Sequence, residues 1–212
     1  MARGAMNKDH VFIDVAVTHP NPRIGQVIAI AAVRTDRKGM LLASYSDRII
    51  PTSELSDEEI DHCPNGYIFS KEGFSFQQVA KALIKSILEP FDKSYYVIAV
   101  DAATDKEFLK EGWKKNGCKQ PAKLLTNRWL DVLQVSWPLV HSDMIPDASF
   151  DSLCTHFQIV NPAPDTATGD CEALVKVYWA MMNRFRAALT GEEVIRQAGG
   201  KPLAIIRNIV GF

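Results

Sequence analysis

Three aspartates stand where an ionised carboxylate is hardest to keep. Asp14 interrupts the run Val11-Phe12-Ile13-Asp14-Val15-Ala16-Val17, a β-rich segment that should be buried on at least one face. Asp105 stands where the apolar run 95–100 gives way to helical spacing. Asp170 comes at the head of the most strongly apolar-striped helix of the chain, at the positive end of its dipole. A carboxylate removed from water is costly unless something pairs with it. Each of the three is therefore either a hydrogen-bonded structural residue or a ligand for a cation. Brought together from a central strand and two helix starts, they would suit two hard divalent cations, Mg²⁺ or Mn²⁺. Such a pair steadies the attacking and leaving oxygens of a phosphodiester. Asp165 and Asp101 are further acids close to this set in sequence.

Other polar groups are less pointed. Lys106, Lys110 and Lys114 form an i, i+4 stripe that could track a phosphate backbone. The same stripe, interleaved with Glu107 and Glu111, also reads as a solvated helix face. His156, beside Phe157, reads as a surface or packed histidine, and His19 and His141 as loop residues. The four tryptophans read as core or groove walls, with Trp113 placed near the lysines. Cys63, Cys118, Cys154 and Cys171 have neither C-x-x-C pairing nor zinc-ligand spacing.

The frame that must position the acids is legible in the periodicity. Residues 11–17 and 27–33 are two β-rich runs around Asn21-Pro22-Arg23, and 40–50 alternates as a third strand after the turn Asp36-Arg37-Lys38-Gly39. This predicts a three-stranded antiparallel meander. A short helix is expected near 56–62 within a polar loop. From Phe76 the apolar period becomes helical through Leu88, and Pro90 stops it. Residues 95–100 make a buried fourth strand, followed by a helix to about 116 that Gly117 closes. Residues 129–133 read as a short strand entering a helix that Pro138 disturbs, and 149–157 as a short helix. Gly169-Asp170 should open the long helix striped by Ala173, Leu174, Val177, Tyr178 and Met181. Thr190-Gly191-Glu192-Glu193 matches a capping box for a last helix, before an apolar tail ending in Phe212. The order βββαβα, then helices, implies one α/β domain with a mixed sheet and flanking helices.

With the acids set in this order, the chain resembles the DnaQ-like (DEDD) 3′–5′ exonuclease family, whose fold is ribonuclease-H-like. Phe12-Ile13-Asp14-Val15-Ala16, with the stretch from Asn21 to Val33, resembles the first family motif. The stretch from Val97 to Leu109 around Asp105 resembles the second. Asp165-Thr166-Ala167-Thr168-Gly169-Asp170 resembles the third, with Ser149-Phe150-Asp151-Ser152-Leu153 upstream of it. The resemblance implies that Asp14, Asp105 and Asp170 are metal ligands, that a single-stranded 3′ end is the partner, and that the lysine stripe flanks its groove. It also brings out three departures. The first motif is Asp-x-Glu, and Ala16 stands for the glutamate. The second often has His-Asn, and Val100 and Asp101 stand there. Asp165 occupies the place of the histidine that acts as general base in one subclass. A carboxylate with a pKa near 3.9 is a poor substitute for an imidazole near 6.5. The expectation is a degenerate exonuclease fold acting mainly as a nucleic-acid-binding or scaffold module, with weakened Mg²⁺ or Mn²⁺ binding. The alternative is an active metal-dependent 3′–5′ exonuclease in which Asp165 or Asp101 replaces the missing ligand.

Bulk properties agree with that expectation. The chain has 212 residues and a formal net charge of −1, so nucleic acid would have to bind through a local patch or through metal ions. No apolar run reaches membrane-span length and no signal-peptide pattern opens the chain. With its scattered cysteines the expected place is intracellular, cytoplasmic or nucleoid-associated. Residues 1–9 read as a disordered leader or a cloning remnant, 10–189 as the domain, and 190–212 as a C-terminal helix and tail. That tail would pack on the domain or on a partner, which could be a second protein or a second copy in a homodimer.

Overall fold

The computed structural model describes residues 8–63, 73–89, 95–121, 124 and 128–190, with the side chains of 189 and 190 left aside. Five strands form one sheet: β1 (Asp9–Val17), β2 (Val27–Thr35), β3 (Leu41–Arg48), β4 (Tyr95–Ala99) and β5 (Trp129–Asp131). Their order is β3-β2-β1-β4-β5. β1, β2 and β3 form the expected antiparallel meander, while β4 pairs parallel with β1 and β5 parallel with β4. The β2–β3 turn is set by Asp36, whose Oδ1 accepts from Lys38 N at 2.8 Å and Met40 N at 2.9 Å. Gly39 supplies the positive φ of 89° that this turn requires.

Alternation along β1 divides the core. Val11 and Ile13 face Phe76, Val79, Leu83, Phe108, Leu109 and Trp113, contributed by α2 (Phe76–Leu83) and α3 (Ala102–Lys115). Phe12 and Ala16 face Leu153, Ala173, Leu174 and Val177, contributed by α6 (Phe150–His156) and α7 (Ala167–Thr190). The result is a mixed sheet between two helical layers. Trp113 is fully buried and edge-on to Phe76, 5.6 Å between ring centroids. It belongs to the core and not to the lysine face.

The helix starts follow local chemistry. Ser56 before α1 (Asp57–His62) and Ser75 before α2 both form complete capping boxes, with Glu59 and Gln78 respectively. Asp101 caps α3 and Gly117, at φ 59°, follows its end. Two short helices, α4 (Val132–Val135) and α5 (Trp137–His141), succeed β5. Pro138 lies in the first turn of α5, where its missing N–H does no harm. It opens that helix and does not break one.

The ends of two helices depart from the periodicity. After Leu83 the α2 coil widens into a π turn, Ile84–Leu88. There the fully buried Arg34 donates to the carbonyls of Ile87 at 2.8 Å and Leu88 at 3.5 Å. Side-chain patterning does not register such a tertiary capture of backbone oxygens. The long C-terminal helix begins at Ala167, three residues before Asp170, and is still helical at Thr190. Thr190 is therefore part of α7 and is not a non-helical cap. The rest of that capping pattern, Pro90 and the apolar tail lie outside the described residues. β1 begins at Asp9, one residue before the expected domain start, and Asp9 is buried against Arg34.

Candidate acidic cleft

The carboxyl ends of the parallel strands carry the acids. Asp14 lies opposite Ala31 and Ala16 opposite Ala29 in the β1–β2 register, so small residues line the sheet where α7 starts. Asp14 is half-buried, and its carboxyl is raised well above the ordinary aspartate range, first by burial and then by the charge of Asp170. Ala16, on the same strand face two residues on, is 8% exposed and presents a methyl group.

Asp105 sits one turn into α3 and is 7% exposed. Burial, then the charges of Asp14, Asp101 and Asp131, raise its carboxyl well above the ordinary range. Its Oδ2 is buried without a hydrogen-bond partner. Asp101 is committed elsewhere: its Oδ1 accepts from Thr104 N at 3.2 Å and its Oδ2 from Thr104 Oγ1 at 2.7 Å. It is a helix cap.

Asp170 lies in the first turn of α7. Burial raises its carboxyl. A 2.6 Å hydrogen bond from Asn161 Nδ2 to its Oδ1 opposes that, and the neighbouring charges of Asp165 and Asp151 reinforce it. Asp165 is exposed, with its backbone in the left-handed region at φ 61°.

An open cleft of about 340 Å³ joins Asp14, Ala16, Asp165 and Asp170 to His19 and His62. The sequence did not single out the histidine wall. Its anchor is Glu59, 5% exposed, which accepts from Thr18 Oγ1 at 2.7 Å and from Ser56 N at 3.0 Å, so that α1 is pinned beside the end of β1. Burial pushes the Glu59 carboxyl up, but hydrogen bonds from Thr18, Ser56 and Gln26 outweigh it and hold the carboxyl low. Asn21 N donates to His19 Nδ1 at 3.0 Å, so His19 Nε2 carries the proton that reaches Glu58 Oε1 at 3.0 Å. His62 Nδ1 donates to the Glu58 carbonyl at 2.7 Å. The two rings meet edge-on, 4.8 Å between centroids. Only the Ser56-to-Glu59 capping spacing hinted at this wall.

The lysine stripe divides. Lys110 pairs with Glu107 at 3.1 Å and Lys114 with Glu111 at 3.5 Å, both within α3, while Lys106 lies at the β5 side of the fold. His156 is packed, edge-on to Phe157 and 2.9 Å from Arg184 Nη1.

Asp14 is an electrostatic neighbour of both Asp105 and Asp170, but among the described residues no group of three or more His, Cys, Asp or Glu could hold a metal ion. Ala16 lines the same cleft with a buried methyl group. What the arrangement offers is an acidic cleft with a histidine wall.

The chain matches no family model and no curated protein sequence. Its structure, in contrast, is similar to solved exonucleases. The nuclease domain of 3′hExo, a DEDDh family member bound to rAMP, superposes with a TM-score of 0.64 at 14% identity, over 85% of this chain and 94% of that one. Cell-death related nuclease 4 gives 0.68 at 13% identity, over 84% and 65%. The E. coli ExoI–ssDNA complex gives 0.69 at 14% identity, over 84% and 41%, so the chain spans less than half of that protein. At such identities the likeness establishes the fold: the chain has the DnaQ-like, ribonuclease-H-like exonuclease fold that its motifs resemble.

Proposed function

We propose that this DnaQ-like exonuclease fold acts mainly by holding a single-stranded nucleic-acid 3′ end and hydrolyses it poorly or not at all. The observation that carries the reading is Ala16, a buried methyl on the same cleft as Asp14 and Asp170, in place of the second acid of the first motif. Without that oxygen the site concentrates one charge fewer, and magnesium already binds reluctantly to few protein ligands. Mg²⁺ or Mn²⁺, where bound, would engage Asp14, Asp105 and Asp170 and supply Lewis-acid stabilisation of a phosphodiester, weakly. Asp165 in place of a histidine removes a general base, a loss of about 10²–10⁴-fold. The nucleic-acid partner is supported by the solved neighbours, which include complexes with rAMP, with ssDNA and with a dA16 oligonucleotide. Among the described residues no helix is long and apolar enough to cross a membrane.

One observation favours a second reading, an active metal-dependent 3′–5′ exonuclease. The orphaned Asp105 Oδ2 is an oxygen that a cation would satisfy. A single assay separates the two. A labelled single strand, DNA or RNA, is incubated with the protein and Mn²⁺, beside the Asp14→Ala variant. We expect binding by mobility shift without 3′ shortening. Stepwise shortening that the variant abolishes would replace the proposal with the second reading. Neither binding nor shortening would leave the fold a scaffold for protein partners.

A further inference from the structure

A second pocket, of about 430 Å³, opens where the start of α3 meets β5 and α4. It is walled by Trp129, Leu130, Val135 and Ala103, with Lys106 and Gln134 as polar members. In the strand order, β4 separates it from the acidic cleft at the end of β1. Two strand spacings make that about 10 Å, a span of one to two nucleotides of an extended single strand. Trp129 is held in place because its indole N–H donates to the Leu124 carbonyl at 3.0 Å. Gln134 carries a primary amide on the pocket wall, exposed, near the start of α4. Lys106 differs from the rest of its stripe. Lys110 and Lys114 are paired with glutamates of their own helix, whereas among the described residues Lys106 has no ion-pair partner.

We propose that this pocket binds a nucleotide of the single strand adjacent to the one in the acidic cleft. The inference rests on the nucleic-acid-binding reading above. The base lies against Trp129 and the aliphatic wall, Lys106 meets its phosphate, and the Gln134 amide meets the base edge. Apolar walls with a few placed polar groups are what a small planar ligand needs. Base–aromatic stacking also tolerates any sequence. A nearby acid sharpens the choice of ligand. Asp131, whose Oδ1 caps α4 by accepting from Gln134 N at 3.0 Å, lines the same pocket as Lys106. The charge of Asp131 opposes a bare anion, so the base must contribute and inorganic phosphate alone should not bind.

The test is fluorescence anisotropy of a labelled oligo(dT) of about 15 nucleotides in EDTA. The full chain is compared with Lys106→Ala, Ala103→Phe and Lys110→Ala, all confirmed folded by their melting curves. Lys106 is half-buried and Ala103 exposed, so neither change opens the core. Lys106→Ala removes the phosphate contact and Ala103→Phe fills the pocket. We expect each to weaken binding about tenfold, with Lys106→Ala also reducing the salt slope by about one. Lys110→Ala should weaken it less than about twofold. Thymidine 5′-monophosphate should compete and inorganic phosphate should not. Wild-type binding that Lys106→Ala and Ala103→Phe leave intact would overturn the pocket while sparing the proposed function. A loss shared equally by Lys106→Ala and Lys110→Ala, with Ala103→Phe unaffected, would favour the whole stripe and also overturn it. No binding by the wild type would overturn both.

Discussion

At Asp105 two effects oppose charge, removal from water and the fields of Asp14, Asp101 and Asp131. A carboxyl raised in this way binds its proton more tightly in the folded chain than in the unfolded one. Its contribution to stability is therefore complete below the unfolded value of about 3.9 and is lost as pH rises through the folded value. Asp105→Asn, which has no proton to lose, should melt higher than the wild type at neutral pH in EDTA. Each unit of raising is worth about 1.4 kcal/mol, or roughly 3–6 °C in a domain of this size. Calorimetry at pH 7 and below pH 4 should find that advantage and then its disappearance. An advantage that persists in acid would mean that the repulsion is not its cause. Ala16→Glu makes the converse argument. Another carboxylate beside Asp14 should lower the metal-free melting temperature and create a rise with Mn²⁺ that the wild type lacks, because a ligand that binds only the native state stabilises it. If both proteins respond equally to Mn²⁺, the missing glutamate is not what weakens the site.

Among the elements, α7 shows how local sequence and tertiary contact can conflict. Gly169 lies in the first turn of a helix, where alanine is ordinarily preferred by up to about 1 kcal/mol. Here an added Cβ would be driven into the carbonyl of Ala163 and crowd Asn161 Oδ1. Gly169→Ala should therefore destabilise, by about 1–3 kcal/mol in urea titrations, and displace the Asn161 loop that holds Asp170. A stabilised variant would show that the loop yields freely. At α1 the corresponding prediction is a lost cap: Ser56→Ala should cost about 1 kcal/mol and loosen the histidine wall. The same elements show what could be read in advance. Alternation gave the meander, and periodicity gave the apolar stripes of α2, α3 and α7, because both record which face is buried. The short helix near 56–62 was equally visible. The histidine wall was not, because His19 and His62 meet only after Thr18 and Glu59, 41 residues apart, form their hydrogen bond. The second pocket was hidden for the same reason: Lys106 and Gln134 share a wall only through the parallel pairing of β4 with β5.

For the whole molecule, Asp14 was legible because a carboxylate amid apolar residues is conspicuous, and Asp105 and Asp170 because they stand near the starts of apolar-striped helices. Arg34 was not, since a single cation at the end of a strand looks like an ordinary solvent-facing residue. Folded, it is fully buried and ties three elements together. Its Nε and Nη2 reach Asp9 Oδ2 in β1 at 3.1 and 2.9 Å, while Nη1 takes the carbonyl of Ile87 at the π turn. The sheet and the α2 layer are thus joined at the end of β1 opposite the acidic cleft. Removing one partner of a buried pair leaves an uncompensated charge and typically costs about 3–5 kcal/mol, whereas replacing both by apolar groups of similar volume is often nearly neutral. Arg34→Met should fall in the costly range, because it strands both the Asp9 carboxylate and the π-turn carbonyl. Asp9→Leu should do the same to the guanidinium. The double variant should recover part of the loss. The recovery stays partial, since methionine cannot donate to the Ile87 carbonyl. Urea unfolding of the four proteins closes the double-mutant cycle, and strictly additive losses would show that the two side chains do not stabilise each other. Because the pair lies at the far end of β1, oligonucleotide binding by the folded fraction of each variant should stay close to wild type.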